Sequence, residues 1–85
     1  MNLANRNPSE AAMRLIAVLP DKWQTEDEIG ELAVAHKIGD ARPLASVLNE
    51  MRRRSWLIRD TRQTPVTWKR TPTGGRIAQQ TQQLV

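Results

Sequence analysis

The sequence predicts a single α+β domain in which three amphipathic helices precede a two-stranded β-hairpin and a short C-terminal helix. Three observations lead to this prediction. Apolar residues recur at helical spacing up to Arg54, the period then changes to that of strands, and Pro or Gly residues separate the segments. With 85 residues, of which 39% are hydrophobic, the chain can form one modest core.

The first helix is predicted over about residues 8–19. Asn7 can cap it, Pro8 suits the first helical position, and Glu10 occupies the capping-box position three residues after Asn7. Pro20 ends the helix, because the residue before a proline disfavours the helical conformation.

The second helix is predicted over about residues 26–36, after a short extended segment at 22–24. Thr25 and Glu28 have the spacing of a capping box, which favours a helix start at this point. Gly39 closes the helix, since glycine readily takes the positive φ that a chain reversal requires.

The third helix is predicted over residues 41–54, with Asp40 as its cap and Pro43 in its first turn. Two stripes with helical spacing lie about 180° apart on it. The apolar stripe contains Leu44, Val47, Leu48 and Met51. The polar stripe contains Arg42, Ser46, Asn49 and Arg53.

Residues 55–59 and 66–70 have the composition of strands, and the segment between them is predicted to be a hairpin loop. A short helix follows at about 75–83, and residues 1–6 and 81–85 are expected to be frayed. This order of elements is that of a winged helix, with a three-helix helix-turn-helix core and a wing of two or three strands.

Two segments of the chain, Leu48–Arg59 and Trp68–Gly74, resemble winged helix-turn-helix transcription regulators of the bacterial multiple-antibiotic-resistance and arsenic-repressor type. Arg70-Thr71-Pro72-Thr73-Gly74 is similar to the "L-T-x-x-G" turn that ends their second wing strand. The resemblance implies a recognition helix at 41–54 and a wing tip at 59–66, in a transcription regulator of bacterial or phage type. Ser55 stands where these regulators usually have a glycine, and the long terminal helices used for dimerisation are missing.

Charge is distributed unevenly along the chain. Residues 1–40 have a net charge of −3 and residues 41–85 a net charge of +7, within a total of +4. A basic half on a small domain is typical of a protein that binds a polyanion, although solubility alone also produces basic surfaces.

Together these features predict sequence-specific binding of double-stranded DNA. Arg and Asn side chains on the polar stripe can bind base edges in a major groove, and basic residues of the wing can bind phosphates. The candidate DNA-binding residues are Arg42, Ser46, Asn49, Arg52, Arg53, Arg59, Arg62, Lys69 and Arg70. The alternative for each is an ordinary solvated or edge-protecting side chain.

The sequence gives little support to other classes of function. It has no cysteine, no cluster of metal-ligating residues and no catalytic constellation, so we expect neither an enzyme nor a bound cofactor or metal. No signal peptide or bilayer-spanning segment is predicted, and a cytoplasmic, nucleoid-associated protein is expected. His36, the only histidine, is predicted to be a packed or capping residue.

The three tryptophans are predicted to fill the junction between helices and wing, with Trp56 and Trp68 paired across the hairpin; stacking on bases is the alternative. The alternative function is a protein-interaction module, a phage-type adaptor or inhibitor, that docks a basic partner through the acidic second helix. A homodimer is also left open, with Leu3, Ile77 and Leu84 as candidate contacts.

Overall fold

The computed structural model describes residues 7–83, which form four helices and a three-stranded antiparallel sheet. Along the chain these are α1 (Glu10–Val18), β1 (Gln24–Thr25), α2 (Glu26–Ala35), α3 (Leu44–Arg53), β2 (Leu57–Asp60), β3 (Thr67–Arg70) and α4 (Pro72–Gln83). The strand order is β1-β3-β2. The α+β class and the predicted order of elements are confirmed, and the arrangement is compatible with a small winged-helix-like fold.

Two helix starts are fixed by side-chain caps. At α1 the cap is Ser9, whose hydroxyl accepts a hydrogen bond from the Ala12 N–H, so the prediction of Asn7 is wrong by two residues. At α2 the predicted capping box is confirmed: Thr25 accepts from the Glu28 N–H, and the Glu28 carboxylate accepts from the Thr25 N–H. The hydrogen bond that the Thr25 N–H donates to the carboxylate also holds the pKa of Glu28 below its ordinary value.

Helices α2 and α3 both end in a left-handed residue other than glycine. Lys37 has a φ of 55° and Ser55 a φ of 63°, and each is followed by an N–H that reaches back to a carbonyl in the last turn. These bonds are Ile38 N to Ala33 O at 2.8 Å and Trp56 N to Met51 O at 2.9 Å, which is the Schellman pattern. The prediction that Gly39 takes positive φ is therefore wrong.

Replacing Ser55 by glycine should stabilise the protein. The left-handed conformation costs a residue with a Cβ atom roughly 1 kcal/mol, and glycine avoids most of that cost. We expect Ser55→Gly to raise the free energy of unfolding by about 0.5 kcal/mol, measured by urea denaturation. Ser46→Gly, inside α3, is the matched control and should lower it by about 0.5–1 kcal/mol; a loss from both changes would contradict the prediction.

Helix α4 begins three residues earlier than predicted and docks on the turn that follows α3. Thr71 donates its N–H to the Trp56 carbonyl at 3.0 Å, and its hydroxyl accepts from the Gly74 N–H at 2.9 Å. Gly74 itself is pressed against this carbonyl, because a Cβ atom at residue 74 would overlap the Trp56 oxygen. Residues Pro72–Gly74, predicted to lie in the turn before this helix, instead belong to its first turn.

The core lies where the four helices meet the inner face of the sheet. Its largest fully buried side chains are Leu15, Ile16, Ile29, Leu48, Met51 and Leu57. Trp56 and Trp68 are buried as predicted, but Trp23 is 43% exposed and does not fill the core. The predicted pairing of Trp56 with Trp68 is also wrong, since Trp56 precedes β2 and Trp68 lies opposite Arg59.

The remaining predictions concern the chain ends and His36, and some of the residues at the chain ends lie outside the described range. Leu3 and Leu84 lie outside them, whereas Ile77 is half-buried against the core. Residues 81–83, predicted to be frayed, are helical. His36 is an exposed residue at the C-cap of α2, which is the capping alternative of the two predicted for it.

Candidate nucleic-acid interface

Helix α3 separates its side chains into a buried and an outward face. Val47, Leu48 and Met51 are buried in the core. Ser46, Asn49 and Arg53 follow one another at helical spacing on the opposite side, where Arg53 is exposed and the other two are half-exposed. The polar stripe predicted for this helix is therefore present over these three residues.

Arg42 does not belong to that stripe. Helix α3 starts at Leu44 with Pro43 at its N-cap, so the helical spacing that placed Arg42 on the outward face does not apply to it. Its guanidinium binds the Asp40 carboxylate at 3.0 Å and the Glu50 carboxylate at 2.7 Å. These two carboxylates raise the pKa of Arg42 and neutralise its charge.

Glu50 joins α3 to the N-terminus of α1. Its carboxylate accepts hydrogen bonds from the Ser9 N–H and the Ser9 hydroxyl, both at 2.9 Å, in addition to the bond from Arg42. Arg54 adds a longer ion pair at 3.6 Å. Burial raises the pKa of Glu50, but the hydrogen bonds from Ser9 and Arg42 outweigh burial, so the pKa lies below its ordinary value.

Local sequence patterns did not predict this cluster. Asp40 was expected to cap α3, but its carboxylate accepts instead from the Arg42 backbone and side chain, which holds the pKa of Asp40 low. The available signal was that Glu50 is the sole acidic residue between Asp40 and Asp60, amid a run of arginines.

Arg52 and Arg53 are the exposed cations at the C-terminal end of α3. Neither forms an ion pair with any residue in the range 7–83. Arg54 is different, because its guanidinium lies 5.9 Å from the Trp56 ring centroid as well as near Glu50. The free positive charge of α3 is thus concentrated at Arg52 and Arg53.

The hairpin presents its four predicted basic residues in different ways. Arg59 extends over the Trp68 ring, 5.6 Å from the centroid, and Lys69 lies beside Ile58 on the outer face of the sheet. Arg62, 87% exposed in its side chain, binds Asp60 at 3.0 Å, and this contact holds the pKa of Asp60 low. Arg70 turns inward and donates to the Leu19 carbonyl at 3.1 Å.

A crevice of about 310 Å³ lies between α3, the hairpin and the N-terminus of α2. Asn49 and Ala45 of α3 line one side of it, and Arg59 and Trp68 line another. The Asn49 Oδ1 atom is buried without a hydrogen-bond donor among residues 7–83. Arg59 also lines a neighbouring depression, which is bordered on another side by Arg52 of α3.

The acidic residues of α2 border the same crevice. Glu26 and Asp27 line it, and together with Glu31, Val34 and Leu44 they also line a shallow groove along α2. All three carboxylates are exposed, and none forms an ion pair with the residues that the structure describes. One edge of the candidate interface is therefore negatively charged.

Within residues 7–83, no three histidine, cysteine or acidic side chains are grouped as they would be around a metal ion. None of the helices in this part of the chain has the length and apolar character needed to cross a bilayer. Comparison of the whole chain with protein-family models, with curated proteins and with solved structures gave no match.

Proposed function

We propose that this protein is a winged-helix protein that binds double-stranded DNA, with α3 in the major groove and the β2–β3 hairpin on the backbone. The order of elements supports the winged-helix assignment, because a helix-turn-helix pair (α2 and α3) is followed directly by a hairpin whose β3 strand pairs with β1. The observation on which the proposal rests is the outward face of α3, which bears Asn49 and Arg53 beside the free cation of Arg52.

The side chains of this face have the chemistry that base recognition requires. An Arg guanidinium can donate twice to the O6 and N7 atoms of guanine, and an Asn amide can bond the N6 and N7 atoms of adenine. Arg53 is assigned the guanine contact, and Ser46 can donate to a base or a phosphate. Asn49 can make the adenine contact only after its side chain rotates outward, because its Oδ1 atom is buried in this structure. The small side chain of Ala45 beside them leaves room for close approach of the groove.

Phosphate binding is assigned to the cations that have no carboxylate partner within residues 7–83. Arg52 and Lys69 meet this condition, and so does Arg59, whose contact with Trp68 leaves its charge available. Arg42 and Arg70 receive structural roles instead, as partners of Glu50 and Leu19. Arg62 has to give up its contact with Asp60 before it can bind a phosphate.

Titration of a labelled random duplex, followed by fluorescence anisotropy at about 50 and 200 mM salt, tests the proposal. Affinity should fall steeply with salt, because each phosphate contact releases counterions. Arg52→Gln/Arg53→Gln should weaken binding more than about tenfold. The slope of log affinity against log salt concentration should also become shallower, by the amount expected for the loss of one to two phosphate contacts.

The matched control is Arg14→Gln/Arg76→Gln, which removes the same charge from α1 and α4. This control should change affinity only a few-fold. Equal losses in the two double variants would contradict the assigned face. If the wild type shows no salt-sensitive binding at micromolar concentration, the protein-interaction alternative is favoured instead.

If the wild type does bind, selection of bound sequences from a random duplex pool identifies the site that it prefers.

A further inference from the structure

Two exposed surfaces of opposite charge adjoin in this molecule. The acidic surface is the groove along α2, defined by Glu26, Asp27, Glu31, Val34 and Leu44. Val34, in the last turn of α2, is 78% exposed, the largest exposure of any large hydrophobic residue described. A groove that combines an exposed apolar residue with carboxylates that form no ion pair within residues 7–83 is suited to a partner that is both apolar and basic.

The basic surface lies along β2 and is defined by Arg52, Ile58 and Arg59, which line one depression. Ile58 is 47% exposed. Like the acidic surface, this surface combines an exposed aliphatic side chain with charges of one sign, but here the charges are positive.

We propose that the acidic surface binds the basic surface of a second copy of this chain, and that the two copies do so reciprocally in a two-fold dimer. Charge complementarity favours a second copy as the partner, because two acidic surfaces or two basic surfaces repel each other whereas an acidic surface attracts a basic one. The reciprocal arrangement follows from adjacency: Glu26, Asp27 and Arg59 line the same crevice, so one two-fold axis near it can bring both pairs of surfaces together.

Such a dimer covers Arg52, Arg59 and the crevice beside Asn49. On the proposed function these residues belong to the DNA interface, so the dimer and the DNA complex exclude each other. The acidic edge of that interface then has a physical role. It repels a duplex from part of the free monomer and supplies the charges that hold the second copy in the absence of DNA.

Sedimentation equilibrium of the full chain without DNA tests the dimer independently of the proposed function. At about 50 mM salt the mass should rise with concentration from 9.7 kDa to twice that value and no further. At about 500 mM salt it should stay at the monomer value, since exposed ion pairs are screened. Arg14→Gln/Arg76→Gln should behave as the wild type.

Two neutralised variants identify the surfaces. Glu26→Gln/Glu31→Gln and Arg52→Gln/Arg59→Gln should each weaken self-association about tenfold, equivalent to roughly 1.4 kcal/mol. An equimolar mixture of the two should associate more strongly than either alone, because one variant keeps an intact basic surface and the other an intact acidic surface. Thermal unfolding of each variant establishes that it is folded.

Three results would overturn the dimer: a monomer at every concentration in low salt, growth of the mass beyond a dimer, or a mixture that associates no better than its components. None of them bears on duplex binding, which is measured separately. Conversely, a dimer that forms as described while the duplex titration fails would leave the self-association in place and remove only the competition with DNA.

Discussion

Replacing Gly74 by alanine should destabilise the protein by about 3 kcal/mol or more. The added Cβ atom would overlap the Trp56 carbonyl oxygen, a backbone atom that cannot rotate out of the way. To relieve the overlap, the first turn of α4 must move away from the turn after α3. That movement breaks the hydrogen bond from the Thr71 N–H to Trp56 and loosens the packing of buried Ala78.

The neighbouring glycine provides the control. A Cβ atom at Gly75 would meet no atom within 4 Å, and Gly75 lies inside α4, where alanine is the better helix former. Gly75→Ala should therefore stabilise the protein by about 0.5–1 kcal/mol. In thermal denaturation the two variants should shift Tm in opposite directions, with Gly74→Ala lower by at least about 12 °C. Similar shifts for both would mean that α4 does not dock on Trp56 as described.

The second large effect is expected at Glu50. Glu50→Gln keeps the shape of the side chain but removes the charge that binds Arg42 and Ser9. Hydrogen bonds to charged groups contribute about 1.5–3 kcal/mol when partly buried, so we expect a loss of about 2 kcal/mol in urea denaturation at neutral pH. Glu31→Gln, which changes an exposed residue of α2, should stay within about 0.5 kcal/mol of the wild type.

The effect of Glu50→Gln should depend on pH with a definite sign. The folded-state pKa of Glu50 is lowered, so its contribution is complete above the unfolded-state pKa and is lost as pH falls through the folded-state pKa. The difference in stability between wild type and Glu50→Gln should therefore be constant near pH 7 and shrink below about pH 4.3. A difference that grows on acidification would show that Glu50 does not bind its partners as a carboxylate.

Local patterns predicted the elements of this fold well. The Thr25–Glu28 capping box depends on residues three apart, and the apolar stripe of α3 depends on one helix alone, so both could be predicted from the sequence. Strand register is different, because it is set by tertiary packing. Local patterns therefore gave the wrong register: Trp56 was predicted to pair with Trp68, whereas the residue of β2 that lies opposite Trp68 is Arg59.

The candidate site was predicted less completely, and Arg42 and Gly74 show why. Arg42 was placed by helical spacing, which fails beyond Pro43, and its partners Ser9 and Glu50 are distant in sequence. Gly74 has the composition of a turn, yet its role depends on the Trp56 carbonyl of another segment. No local pattern contains such contacts. The predicted roles of Asn49 and Arg53 in base recognition stay predictions.

The packing of α4 against α1 has a consequence for how the chain acquires its structure. Helix α4 covers α1, so α1 lacks this neighbour until the ribosome has synthesised the residues up to about position 83. Contacts between segments so far apart in sequence slow folding, because a long loop must close before they form. A nascent chain therefore exposes the apolar stripe of α1 for most of its synthesis, and cooperative folding waits for α4 to arrive.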